Sequence, residues 1–191
     1  MTVKYEIVFF SFWHCSSGKS PYDDRRMLVV KDVQGFPYVP GKTIKGLLKE
    51  NLINLVKWKY NIRKAYSDWI NYNFGNEMKT EVTRYVGYEG LMHVGDAALD
   101  VVEKQFVASE FAQHLLFCES KHRKLEKPQK EFVYEVTIPC RLIGTIDVSL
   151  AGLTEKETLL FIQEGLGLTK RIGMFRNNGL GRCHIRVVEN F

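Results

Sequence analysis

The sequence predicts an α+β fold, an antiparallel sheet with helices on one face, and two observations predict it. Apolar residues fall into β-branched and aromatic runs in some segments and recur with a helical period in others. The segments follow one another as strand, helix, strands, helix, strand, the order of a ferredoxin-like (RRM-like) sheet. The 191 residues suit one domain spanning 1–191, with insertions expected at about 57–88 and 102–130.

Taken in order, VKYEIVFFSFW at 3–13 is the first strand, rich in the residues that fit a pleated surface. HCSSGKSPYDDRR at 14–26 is a loop, small and polar, broken by Gly18 and Pro21. MLVVKD is a short strand, and Asp32-Val-Gln-Gly35 has turn chemistry. Pro37 and Pro40 hold the backbone extended, so no helix starts before Gly41.

From Gly41 the period changes. Ile44, Leu47, Leu48, Leu52, Leu55 and Val56 form one apolar stripe, with Lys42, Lys45 and Lys49 together off it. Residues 57–88 mix aromatics and charge without a firm period, and no element is placed there. GLMHVGDAALDV reads as a strand ending at Gly95-Asp96. A helix is expected around Glu103–Cys118, followed by the basic stretch KHRKLEKPQK. Residues 131–150 are β-rich, with Gly144 read as a bulge or turn. Thr154 and Glu157 form a capping box for a helix running to about Arg171, and CHIRVV is the last strand.

Lys and Arg exceed Asp and Glu by 27 to 22, a mild excess that says little about partners by itself. Its distribution is uneven. Residues 41–64 set seven cations against Glu50, and 165–191 set five against Glu189. Each cluster is either a local polyanion-binding surface or a solvated helix face. The four cysteines are scattered without a C-x-x-C pair, which argues against a zinc site or disulfide framework. The alternating start, MTVKYEIVFF, lacks the order of a signal peptide, and no apolar run approaches the length of a membrane span. The expected location is the cytoplasm.

One motif misleads. Gly41-Lys42-Thr43 invites a phosphate-loop reading, but the glycine required five residues earlier is Phe36. Pro37 and Pro40 also lack the N–H donors from which a phosphate cradle is made. A dinucleotide fingerprint fails too, because Gly165-Leu-Gly167 is followed by Lys170 where a third glycine belongs.

Two segments carry a more specific chemistry. In PGKTIKGLLK the proline fixes the entry, and the first helical N–H groups and Lys42 and Lys45 attract phosphate. Gly46 weakens the helix by roughly 1 kcal/mol relative to Ala and points to close backbone approach. RIGMFRNNGLGR packs three glycines, two asparagines and three arginines into 12 residues. Glycine and asparagine permit positive φ, which lines up backbone donors, and arginine adds bidentate phosphate contact.

These segments resemble those of a known family. PYVPGKTIKGLLKE resembles the "PYIPGSSLKGLLR" element of the RAMP superfamily, the subunits of type III CRISPR effector complexes. RIGMFRNNGLGRCHI resembles that superfamily's C-terminal glycine-rich loop. FWHCSSGKS followed by VVKDVQGFPY resembles its opening strand, loop and Asp-x-x-Gly-x-Pro turn, and FGNEMK…EGLMHVGDAAL its middle element. The matches occur in order from about residue 9 to residue 187.

The resemblance implies a modified RRM fold that holds part of a CRISPR guide RNA by its backbone, in company with target RNA and other RAMP-type subunits in antiviral defence. The residues expected to contact RNA are His14, Ser16, Ser17, Gly18, Lys42, Thr43, Lys45, Lys49, Arg171, Arg176, Asn177, Asn178, Gly179, Gly181 and Arg182. Relatives that cut target RNA use an acidic loop residue with a metal ion. The corresponding place falls near Arg26, leaving Asp23 and Asp24 as candidate catalytic acids and Mg2+ or Mn2+ as the metal if cutting occurs. The alternative is two solvated loop acids. A rival reading, a CRISPR RNA-processing endonuclease, would need His14 as general acid or base. His93 is expected to be structural, and Tyr60, Tyr66, Trp69, Tyr72 and Phe74 to serve packing in the core or between subunits rather than base stacking.

Overall fold

The computed structural model describes residues 1–16, 26–60, 63–79, 85–110, 112–123 and 131–188. The chain runs β1 (Thr2–Phe9), β2 (Arg26–Met27), β3 (Tyr38–Val39), α1 (Gly41–Trp58), α2 (Lys64–Phe74), β4 (Gly75–Lys79) and β5 (Tyr85–Glu89). It continues through β6 (His93–Val94), β7 (Ala97–Ala98), α3 (Val101–Ser109), β8 (Phe117–Arg123), β9 (Glu131–Thr137), β10 (Arg141–Asp147), α4 (Glu155–Gly167) and β11 (Cys183–Val188).

The principal sheet has the order β11-β1-β10, then β6 and β7 both on β10, and β3 at the far edge; every pairing is antiparallel. With the edge strand β3 set aside, and β6 and β7 taken as one stretch between β1 and β10 in the chain, the order is fourth, first, third, second, an α+β arrangement of the kind expected from the element order. β8 and β9 pair in a second sheet, joined by β2, and β4 and β5 form a separate hairpin.

Period two decides which face of the sheet is covered. On β1, Val3, Tyr5, Ile7 and Phe9 are buried; across the ladder they meet Leu142 and Ile146 of β10 and Cys183 and Ile185 of β11. Both long helices lie on the buried side. α1 contributes Ile44, Leu48, Leu52, Leu55 and Val56, and α4 contributes Phe161, Ile162 and Leu166. Gly165 lets the two helices touch: a Cβ there would lie 2.6 Å from Leu52 Cδ2. Asn51 spans the same contact, donating from Nδ2 to the Gly165 carbonyl and to Thr169 Oγ1, both at 2.9 Å.

Several local expectations hold. Glu157 N–H donates to Thr154 Oγ1 and Thr154 N–H to Glu157 Oε2, which completes the capping box. Asp32 Oδ1 accepts from the N–H groups of Gln34 and Phe36, and Gly35 has φ 85°. Burial raises the Asp32 carboxyl pKa, but Lys104 Nζ, 2.6 Å away, and the two N–H donors outweigh it and hold the group below its ordinary value.

Others need correction. β1 ends at Phe9, four residues early, because the chain leaves the sheet there: Phe10 and Phe12 bond to the glycine-rich loop and Trp13 pairs with Thr137 at the end of β9. Gly144 is no bulge; it sits mid-strand opposite Tyr5, whose ring occupies the space a Cβ would take. The helix expected over 103–118 stops at Ser109, and Phe117 already begins β8. The strand at 90–101 is two short bridges, β6 and β7, on either side of Gly95-Asp96. α4 ends at Gly167, whose carbonyl accepts from Lys170 Nζ at 2.6 Å. The segment without a firm period holds α2 and the β4–β5 hairpin. Its period was obscured because Tyr66, Trp69 and Phe74 build an aromatic cluster with Phe161 and Tyr60, while Tyr72 faces outward.

Candidate nucleic-acid interface

Three segments distant in sequence meet at one end of the sheet. Leaving β1, the chain runs beside the glycine-rich loop and is bonded to it repeatedly. Phe10 N–H donates to the Arg182 carbonyl (2.9 Å), Gly181 N–H to the Phe12 carbonyl and Met174 N–H to the His14 carbonyl (both 2.8 Å). Arg182 N–H donates to Ser11 Oγ at 3.0 Å. The first turn of α1 closes the third side. Between them lies a cleft of 310 Å³ lined by Cys15, Ser16, Pro40, Lys42, Thr43, Leu47, Gly173, Met174 and Arg176.

Glycine is required where the backbones touch. Gly173 has φ 94°, and a Cβ would lie 2.2 Å from the His14 carbonyl oxygen. Gly181 has φ 70°, and its Cβ would lie 1.9 Å from the Ile172 oxygen. Phe175 also takes a left-handed conformation, φ 55°, without being glycine. Its ring stacks on Tyr134 (centroids 4.4 Å) and meets the edge of His14 (6.1 Å), packing that offsets the strain. Arg171 braces the loop from within by donating to the Arg176 carbonyl.

His14 lies under this loop, fully enclosed. Its Nδ1 is 2.6 Å from the Glu135 carbonyl oxygen, which fixes the tautomer with the proton on Nδ1. Burial pulls its pKa below the ordinary histidine value, against the opposing pull of the Glu135 carbonyl and carboxylate. The expected RNA contact by this side chain is thus not what the structure displays. His14 supports Phe175 and Met174 and does not face solvent.

The start of α1 also differs from expectation. Gly41 N–H donates to Asp96 Oδ1 at 2.7 Å, and a Cβ on Gly41 would lie 1.9 Å from the Val94 oxygen. The helix terminus is therefore already met by a carboxylate, which disfavours a phosphate at that point. Lys42 remains exposed and lines the cleft with Thr43. Lys45 turns the other way and donates to the Met92 carbonyl at 2.6 Å. Lys49 is half-buried and does not line the cleft. Gly46 is exposed with nothing within 4 Å, so the close approach read from it is absent within the chain.

Lys42, Arg171, Arg176 and Arg182 are all exposed, and of these Lys42 and Arg176 line the cleft. Arg176, Asn177 and Asn178 form a short 3-10 turn closed by Gly179, whose φ is 87°, and with Gly173, Met174 and Phe175 they line a second hollow of 560 Å³. Neither hollow has a carboxylate among its described lining residues. Cations, amides and backbone without acids suit a polyanion and repel little of it.

Ser17, Gly18, Asp23 and Asp24 lie outside the described residues, as do Pro21 and Arg25. Among the described residues no group of three His, Cys, Asp or Glu side chains is placed to hold a metal ion. Sequence reasoning missed Asp96, Tyr134 and Phe175. The first left a signal, since a lone acid follows Gly95 in a turn and turn acids seek N–H partners. A phenylalanine at positive φ leaves none.

Residues 6–184 match the family model of the RAMP superfamily. No curated protein sequence matches. Among solved structures, the "Cryo-EM structure of the Type III-B Cmr-beta bound to cognate target RNA" matches with a TM-score of 0.63 at 10% identity, covering 98% of this chain and 97% of that one. A "Type IV-B CRISPR Complex" chain matches with 0.66 at 13% identity, covering 100% and 91%. A chain of the "Type III-B Cmr-beta Cryo-EM structure of the Apo state" matches with 0.65 at 9%, covering 100% and 98%. At these identities the likeness is one of fold. No helix among the described residues is long and apolar enough to cross a membrane.

Proposed function

The chain belongs to the RAMP superfamily, and on that premise we propose that it is a guide-RNA-binding subunit of a type III CRISPR effector ribonucleoprotein, gripping phosphates with little regard to base sequence. The observation that carries the reading is the cleft that Lys42 and Thr43 line together with Gly173, Met174 and Arg176 of the glycine-rich loop, with no carboxylate among its described lining residues. Charge and backbone donors there recognise what all RNA sequences share. Fold neighbours from CRISPR complexes, one described as bound to target RNA, support the same reading. Target RNA and other RAMP-type subunits are then the expected partners, in antiviral defence. An RNA-processing endonuclease is disfavoured, since His14 is enclosed and its Nδ1 already committed.

The test is affinity for several unrelated RNAs across a salt series. Log affinity should fall with log salt by about 0.7 per phosphate neutralised, similarly for every sequence. Lys42, Arg176 and Arg182 changed together to Ala should lose more affinity than Lys57, Lys59 and Lys64 changed together, with a shallower salt slope and similar melting. A flat salt response, a strong preference among sequences, or equal losses in the two triples overturns the proposal.

A further inference from the structure

At the other end of the sheet the surface has the opposite chemistry. β1 joins the two ends: Phe9 pairs with Cys183 beside the glycine-rich loop, and Thr2 pairs with Asp147 at the far side. Two residues beyond Asp147, Ser149 anchors α2. Asn73 Nδ2 donates to its carbonyl and Ser149 N–H to Asn73 Oδ1, both at 3.0 Å. The chain after β5 is tied to the same helix, with Leu91 N–H donating to the Tyr72 carbonyl (3.3 Å) and Met92 N–H to the Asn73 carbonyl (2.8 Å). α2 buries Tyr66, Trp69, Ile70, Asn73 and Phe74, so Asp68, Asn71 and Tyr72 form its outward face.

That face and the end of β5 enclose a hollow of 510 Å³ lined by Asp68, Asn71, Tyr72, Tyr88, Glu89 and Leu91. Every one of these residues is exposed, with Tyr72 at 53%, Tyr88 at 70% and Leu91 at 61% of full accessibility. Neither carboxylate has an ion-pair partner among the described residues. Five of the hollow's six lining residues stand on α2 or at the end of β5, a strand hydrogen-bonded to β4. Exposed tyrosines around an apolar floor are the usual make-up of a protein contact.

The geometry points to a docking site for an arginine side chain presented by a protein partner. Two carboxylates meet its charge, and the two tyrosine rings offer faces on which a planar guanidinium stacks. Leu91 and the ring edges cover its aliphatic stem. Lysine fits less well, because an ammonium has no plane to stack. RNA is excluded by the same carboxylates, which repel phosphate. The site lies apart from the proposed RNA cleft and does not depend on that reading.

The experiment uses the full chain with its tyrosine rings carbon-13 labelled, the Tyr72 and Tyr88 signals being assigned through Tyr→Phe variants. The probes are N-acetyl-arginine amide and its neutral isostere N-acetyl-citrulline amide, followed by NMR. Arginine should shift the Tyr72 and Tyr88 rings saturably, with citrulline binding about tenfold more weakly. Asp68→Asn with Glu89→Gln should remove most of the difference between arginine and citrulline, leaving the share due to the rings, while melting and RNA affinity stay unchanged. Equal response to the two probes, shifts confined to other tyrosines, or stronger perturbation of these rings by a uridine oligonucleotide overturns the proposal.

Discussion

Adding one methyl group at Gly173 should damage the loop far more than adding it at Gly179, although both residues have positive φ, 94° and 87°. A side chain in that region costs about 1–2 kcal/mol through backbone strain alone. At Gly179 nothing lies within 4 Å of the new Cβ, so Gly179→Ala should lose close to that, about 1 kcal/mol. At Gly173 the Cβ arrives 2.2 Å from the His14 carbonyl oxygen, more than 1 Å inside ordinary contact. The retreat must lengthen the 2.8 Å bond from Met174 N–H to that oxygen, a further loss of about 0.5–1.5 kcal/mol.

The total for Gly173→Ala is about 3 kcal/mol once residual crowding is included. For a chain of this size each kcal/mol moves the melting point by about 2–4 °C. The expected falls are therefore about 6–12 °C for Gly173→Ala and about 2–4 °C for Gly179→Ala. RNA affinity at 20 °C should drop with Gly173→Ala, because Gly173, Met174 and Arg176 move together as one wall of the cleft, and change little with Gly179→Ala. Scanning calorimetry and an RNA titration on the same samples give both readings. If the two variants melt within a degree of each other, the close approach of the two backbones does not hold the loop.

Lys42→Ala should reduce the magnitude of the salt slope for RNA by about 0.7, whereas Lys45→Ala, whose ammonium is bonded to the Met92 carbonyl, should leave the slope unchanged and lower only stability; equal slope changes would contradict the placement. His14 gives stability a pH dependence of known sign. Its folded pKa lies below its unfolded value, so the unfolded chain takes up the proton first. That stability is full above about pH 6.5 and declines as pH falls towards the folded pKa. His14→Gln should flatten the melting profile between pH 7.5 and 5.5, and an unchanged slope would remove His14 as its source. Asp23→Ala and Asp24→Ala are expected to leave any cutting of target RNA by an assembled complex with Mg2+ or Mn2+ at the wild-type rate, since Arg25 and Arg26 follow them directly in the sequence and their charge would oppose metal binding; loss of cutting in either would make that acid catalytic.

The fold was legible because two periods of hydrophobicity are written almost without interruption in β1, α1, β10, α4 and β11. Each of these buries one face on the common core, so burial and sequence repeat coincide. The misreadings fall where a residue is set by a neighbour remote in the chain. Gly144 looked like a turn because its sequence gives no hint that the Tyr5 ring lies over it. Phe117 begins a strand where a helix was expected, since the strand exists through its ladder with Glu131–Thr137. The cleft was half legible. Glycines and arginines mark the loop plainly, but the burial of His14 and the turning away of Lys45 depend on Glu135 and Met92, which no local pattern connects to them.

Asp96 shows how that limit bears on the functional reading, and yields a last prediction. The PGKT segment looked like an anion site because its helix start offers free N–H groups. In the structure Asp96 Oδ1 takes the Gly41 N–H at 2.7 Å, and Gly41 has no Cβ because the Val94 carbonyl occupies that space. The same residues therefore seat α1 on β6 and β7, and RNA is left to Lys42, Thr43 and the opposing loop. Asp96→Asn keeps an acceptor but loses the charge at the helix terminus, about 0.3–1 kcal/mol. Asp96→Ala leaves the Gly41 N–H unpaired and part-buried, about 1–3 kcal/mol. Urea denaturation should rank wild type, Asn and Ala in that order. RNA affinity, corrected for the folded fraction, should stay within about fivefold for Asp96→Asn, since Asp96 does not line the cleft and the lost charge is worth under about 1 kcal/mol. If Asp96→Asn instead binds RNA at least tenfold more tightly, the carboxylate was holding phosphate away from the helix start. That start would then be part of the RNA site after all.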